Sequence, residues 1–122
     1  MLRTVAIKLQ FNKGINMKLL TKNIEQKLRA AHSDVPLQDD NPKAFVKLFN
    51  PTGSGTWYLS DLSENNIAFG LCSLHETEYG YVSLDELKSV KLPFGLSIER
   101  DTSFDPMYLK DIKSKLDNGE HV

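Results

Sequence analysis

A chain of 122 residues with 40% hydrophobic and 25% charged side chains has the composition of a globular domain, and at this length it buries about two thirds of its extended-chain surface on folding. That composition is far from the polar, highly charged one of disordered chains. One cysteine, Cys72, rules out an internal disulfide framework and a multi-cysteine zinc site, so the chain is expected to be cytoplasmic. It contains no uninterrupted apolar run of the length a membrane span needs, and the charge inside the apolar stretch 1–8 leaves a secretory signal unexpected.

The net charge of −1 conceals an asymmetry: residues 1–31 hold seven Lys or Arg against Glu25 alone, and residues 32–122 hold eight basic against fifteen acidic side chains. An acidic body repels phosphate backbones, so any nucleic-acid contact would have to come from the N-terminal portion.

Two readings stand for the first sixteen residues. The stretch Lys13-Gly14-Ile15-Asn16-Met17 fits a translated ribosome-binding sequence ahead of a start at Met17, which makes residues 1–16 an N-terminal extension and residues 17–122 a single domain. Alternatively, Val5, Ile7, Leu9 and Phe11 alternate with Ala6, Lys8 and Gln10, the pattern of a strand at a sheet edge.

Beyond Met17, Thr21 can cap a helix over residues 22–31, with Ile24 and Leu28 as its apolar stripe, and residues 32–42 read as a loop. Residues 44–49 and 56–60 are rich in branched and aromatic side chains and flank Asn50-Pro51-Thr52-Gly53-Ser54-Gly55, which predicts a β-hairpin. Strands over 67–72 and 79–83 continue a meander. Ser83 with Glu86 forms a capping-box spacing ahead of a short helix through Val90. A last strand over 96–100 and a helix opened by Asp105-Pro106, with Met107, Leu109, Ile112 and Leu116 along one face, complete the chain. The expected fold is α+β, with a small antiparallel sheet of about five strands packed against an N-terminal, a C-terminal and one short helix.

No catalytic constellation emerges, and no motif asks for a cofactor. The Gly-rich loop 51–56 lacks the following lysine and helix of a phosphate cradle, and reads as a turn. His75, Glu76 and Glu78 sit close in sequence, but an extended segment sends His75 away from the two acids, so no metal centre is expected. Cys72 has no base beyond His75 and reads as core. Glu99-Arg100-Asp101 can be an internal ion pair or, through Arg100, a bidentate anion contact. Trp57, Tyr58, Tyr79 and Tyr81 cluster on neighbouring strands. Whichever of Trp57 and Tyr58 points outward is the natural anchor of an interface.

From Met17 onward, the segments Met17-Lys18-Leu19-Leu20-Thr21, Phe45-Val46-Lys47-Leu48-Phe49, Thr56-Trp57-Tyr58, Tyr79-Gly80-Tyr81-Val82-Ser83-Leu84 and Pro93-Phe94-Gly95-Leu96 through Ile98-Glu99-Arg100-Asp101 together resemble the bacterial family known as domain of unknown function 2958, across residues 17–109. The resemblance implies carriage on conjugative plasmids, integrative elements and phage-like elements, and it brings no activity to transfer. It fits an accessory protein that occupies a surface of a host protein, defence complexes included. The leading expectation is accordingly a non-enzymatic protein-interaction module with Trp57, Tyr58, Glu99, Arg100 and Asp101 as contact residues. Its partner would be a host or element-encoded protein. The alternative is a nucleic-acid-binding accessory protein using Lys18, Lys22, Lys27 and Arg29 on the first helix.

Overall fold

The computed structural model describes residues 18–33 and 41–122. Both readings of residues 1–16, the suspected start at Met17 and the middle of the 32–42 loop lie outside those residues. The described elements run α1 (Lys22–Ser33), β1 (Lys43–Ala44), β2 (Val46–Phe49), β3 (Thr56–Leu62), β4 (Ile67–Ser73), β5 (Thr77–Ser83), α2 (Leu84–Ser89), a 3₁₀ turn (Pro93–Gly95), β6 (Glu99–Arg100), β7 (Met107–Tyr108) and α3 (Leu109–Asp117). Strands β2 to β6 form one antiparallel sheet in the order β5-β4-β3-β2-β6, and β1 pairs with β7 in a two-stranded ribbon. The α+β fold with an antiparallel meander is as the sequence predicts.

Helix α1 starts where expected, because the Thr21 hydroxyl accepts the Ile24 amide at 3.1 Å, satisfying one of the free first-turn donors. Ser83 does the same for the Glu86 amide at 3.2 Å ahead of α2. The β2–β3 turn closes through Asn50 N to Gly55 O at 2.9 Å, and the Asn50 side chain accepts the Thr52 amide at 2.8 Å, the local bond that suits Asn to a turn.

The sheet separates two hydrophobic clusters. On one face, Leu28 of α1 and Leu84 and Leu87 of α2 cover Val46, Leu48, Leu59, Leu62 and Ala68. On the other, Leu109 and Ile112 of α3 cover Ala44, Tyr58 and Leu71. Strand β3 can serve the first face with both Leu59 and Leu62 only by breaking strict alternation, and its register with β4 shifts between Leu59 and Asp61. That bulge is secured by side chains: Ser60 Oγ donates to Phe69 O at 3.1 Å and Asp61 Oδ1 accepts the Phe69 amide at 3.1 Å. Two buried polar residues therefore complete the hydrogen bonding that the irregular ladder leaves open.

Two elements depart from expectation. Helix α3 begins at Leu109 rather than near Asp105-Pro106, because Met107 and Tyr108 are drawn into pairing with Ala44 and Lys43, and the Leu109 amide donates to Pro42 O at 2.9 Å. The last strand of the main sheet is cut to Glu99–Arg100, since Pro93–Gly95 takes a turn containing Phe94 and Gly95 at positive φ.

Candidate functional site

Strand β5 lies at the end of the sheet order, and among the described residues nothing pairs with its outer edge. Its alternation splits the side chains: Thr77, Tyr79, Tyr81 and Ser83 lie on the α3 face, and Glu78, Gly80 and Val82 on the α1 face. The edge carries one charge, Glu78, and no proline, lysine or bulge, the devices with which sheets protect their edges.

On the α3 face, the Tyr79 ring stacks on Phe69 of β4 at 6.2 Å and 6° between planes, and Tyr81 meets the same ring at 5.2 Å and 57°. Tyr79 is 45% and Tyr81 74% exposed, so two solvent-exposed aromatic rings rest against Phe69. On the α1 face lies an open groove of about 460 Å³, lined by Trp57, Cys72, Leu74, Gly80 and Val82 with His75, Glu76 and Glu78, and bordered by Tyr79 and Tyr81 of the same strand. Cys72 stands opposite Glu78 in the β4–β5 register. Burial, then the Glu78 carboxylate, pushes the Cys72 thiol above its ordinary pKa, which keeps it protonated and a poor nucleophile at neutral pH.

The structure separates the anticipated contact residues. Trp57 is half-buried and faces the groove. Tyr58, its neighbour on the opposite face, is 2% exposed; it packs with Leu71, Leu109 and Ile112 and its hydroxyl donates to Val122 O at 3.3 Å. Tyr58 is therefore core, and the outward member of the pair is Trp57. Arg100 donates from one guanidinium nitrogen to Lys18 O at 2.7 Å and Leu19 O at 3.0 Å, clamping the segment that leads into α1. Asp101 sits 3.4 Å from the buried Lys47 ammonium and accepts the Ser103 amide at 2.8 Å. Glu99 is half-buried beside them on β6. Arg100 and Asp101 are thus occupied with internal bonds at the sheet edge opposite to β5.

The basic set is divided in the same way. Lys18, Lys22 and Lys27 are exposed. Arg29 is internal to the fold: Nε reaches Glu25 at 2.8 Å, one terminal nitrogen donates to Ser63 O at 2.7 Å and the other to Asn66 Oδ1 at 2.8 Å. Lys22 and Lys27 are five residues apart on α1, a spacing that does not stack side chains on one face. His75, Glu76 and Glu78 reach the groove rim, and among the described residues no group of three or more His, Cys, Asp or Glu has the arrangement of a metal centre.

A protein-family model described as Protein of unknown function (DUF2958) matches residues 19–112. The chain belongs to this family. No curated protein and no solved structure matches it. The region matched to DUF2958 runs from the entry of α1 into α3, so it includes the whole of β5, both aromatic rings on Phe69 and the groove. Sequence reasoning noticed Tyr79 and Tyr81 as a cluster but did not place them among the contact residues, and it passed over Gly80. The available signal was Tyr-Gly-Tyr-Val itself, a glycine in the middle of a strand whose neighbours are all strand formers.

Proposed function

We propose that this DUF2958 protein is a non-enzymatic interaction module that receives a partner protein along β5. The observation that carries this reading is the seven-residue edge of β5, unpaired among the described residues and bearing Tyr81 and Tyr79 on the Phe69 ring. An extended segment laid beside such an edge gains main-chain hydrogen bonds, and side-chain surfaces above and below supply selectivity. Rigid aromatics with a polar tip are the residues on which interface energy concentrates. A host or element-encoded protein is the partner that the family resemblance suggests, with the module serving as an accessory protein of a mobile genetic element.

The nucleic-acid reading has less support, since Arg29 is engaged in the fold and only Lys18, Lys22 and Lys27 of that set remain on the surface. Affinity capture from native cells with the wild-type protein and a Tyr79→Ala/Tyr81→Ala variant tests the interaction reading. A stoichiometric partner retained by the first and lost by the second is the expected result. A partner held equally by both, or a mobility shift of DNA that weakens steeply with salt, overturns it.

A further inference from the structure

Gly80 occupies the centre of β5 without any requirement for glycine that the fold itself imposes. Its φ is not in the positive range, and among the described residues a Cβ built on it meets nothing within 4 Å. A glycine here weakens the strand and leaves a bare patch of backbone as the floor of the groove. Its cross-strand partner Gly70 is different, since a Cβ there would lie 1.9 Å from Tyr58 O. The packing demands one glycine of the pair, and the space above the other is open to whatever sits on the outside.

The geometry points to a specific occupant: an extended basic segment of another protein that adds to β5 as a further strand and lays a large apolar or aromatic side chain over Gly80. This rests on the interaction reading and names its chemistry. Side chains of an added strand alternate between the two faces, so those on the α3 face lie against Tyr79 and Tyr81. On the groove face, the residue opposite Gly80 enters the floor between Trp57 and Val82, and the one opposite Glu78 meets a carboxylate with Glu76 close by in the rim. An aromatic ring over a strand glycine replaces the contacts that the glycine lacks, and Lys or Arg complements the two acids. A second copy of this chain does not fit. Antiparallel pairing of β5 with itself places only Glu78, Gly80 and Val82 on the groove face, none of which is large enough to fill it.

Trp57 is the only tryptophan of the chain and lines the groove, so its fluorescence reports occupancy directly. The probe is the synthetic peptide acetyl-Thr-Val-Thr-Phe-Thr-Arg-Thr-amide, with relatives carrying Leu, Ala or Asp in place of Phe and Glu in place of Arg, titrated against the full chain. The expected result is a saturable change in Trp57 emission for the Phe and Leu peptides. Binding should be at least about tenfold weaker for Ala, Asp and the Glu-for-Arg peptide, the loss of about 1.4 kcal/mol that a filled pocket or an ion pair can account for. Gly80→Val fills the floor from the protein side and should abolish the change while the circular dichroism spectrum and melting temperature hold or rise. Gly80→Ala, which adds one methyl, should weaken binding less. Affinity that ignores the residue opposite Gly80, full binding by Gly80→Val, or no saturable change with any peptide overturns the inference. So does a concentration-dependent dimer in sedimentation that Gly80→Val abolishes. If Gly80→Val keeps the cellular partner and Tyr79→Ala/Tyr81→Ala loses it, the groove inference fails and the edge reading stands. If both variants keep it, both fail.

Discussion

Gly70 and Gly80 face each other across β4 and β5, yet a Cβ on Gly70 would stand 1.9 Å from the Tyr58 carbonyl oxygen, whereas one on Gly80 would meet no atom of the described residues within 4 Å. The two substitutions to alanine should therefore move stability in opposite directions. Gly70→Ala forces β3 away from β4 beside the bulge and should cost more than about 3 kcal/mol, the upper end of overpacking penalties. Gly80→Ala should gain about 0.5–1 kcal/mol by relieving the strand of its glycine. Urea denaturation of both variants checks the pair, and equal midpoints would contradict the geometry.

Arg29 ties α1 to the β3–β4 turn through Ser63 O and Asn66 Oδ1. Asn66 holds positive φ, and its side chain passes the connection on to Asp85 of α2 at 3.0 Å. Arg29→Ala leaves partly buried acceptors without their charged donor and should lower stability by about 2 kcal/mol. Arg29→Lys should recover less than half of that, because a single ammonium cannot span two acceptors in a planar fork. Chemical denaturation measures this, and Arg29→Ala with unchanged stability would restore the residue as a candidate phosphate ligand.

The Cys72 thiol is held above its ordinary pKa by burial and by Glu78. Labelling with a disulfide reagent at neutral pH should be slower than for a free cysteine and should accelerate as pH rises through the elevated value. Glu78→Gln removes the smaller of the two causes, so it should lower the pKa and speed labelling at fixed pH. A labelling rate unaffected by Glu78→Gln would show that the carboxylate does not act on the sulfur.

Burial, with a smaller contribution from Asp101, also raises the pKa of Tyr58. The folded protein then keeps the phenol proton at pH values where the unfolded chain, titrating near about 10, has lost it. Folding stability falls as pH climbs past that unfolded value, because the unfolded state binds fewer protons there. Tyr58→Phe should flatten the alkaline limb of the stability curve and cost about 1 kcal/mol near neutrality through the lost bond to Val122 O. Melting temperatures between pH 7 and roughly 11 test both parts.

Much of the architecture was legible. Alternation and turn chemistry located the strands of the meander, and Thr21 and Ser83 announced two helix starts because a cap is a local bond within four residues. What escaped depends on partners distant in sequence. Nothing near Met107-Tyr108 reveals that Lys43-Ala44 will extend it as strand and delay α3 to Leu109. Ser60-Asp61 reads as the end of a strand, whereas both residues brace a bulge against Phe69. Trp57 and Tyr58 were equivalent as candidates because the sheet is covered on both faces, and only the placement of α3 over Tyr58 distinguishes them. The charges of Arg100 and Asp101 signalled a contact without showing that it would be internal. Gly80 was visible as a letter, but the room above it is a property of folded neighbours.

The sheet is a common wall between two clusters, with Leu59 and Tyr58 adjacent on β3 yet serving opposite sides. Disturbing either cluster should therefore be felt in β3, which contributes a buried side chain to each. Among the described residues, outermost β5 is the one long strand with a single neighbour, so its amides should exchange with solvent ahead of those in β3 and β4. A strand arriving there, as proposed above, would give β5 the second neighbour that it lacks among the described residues.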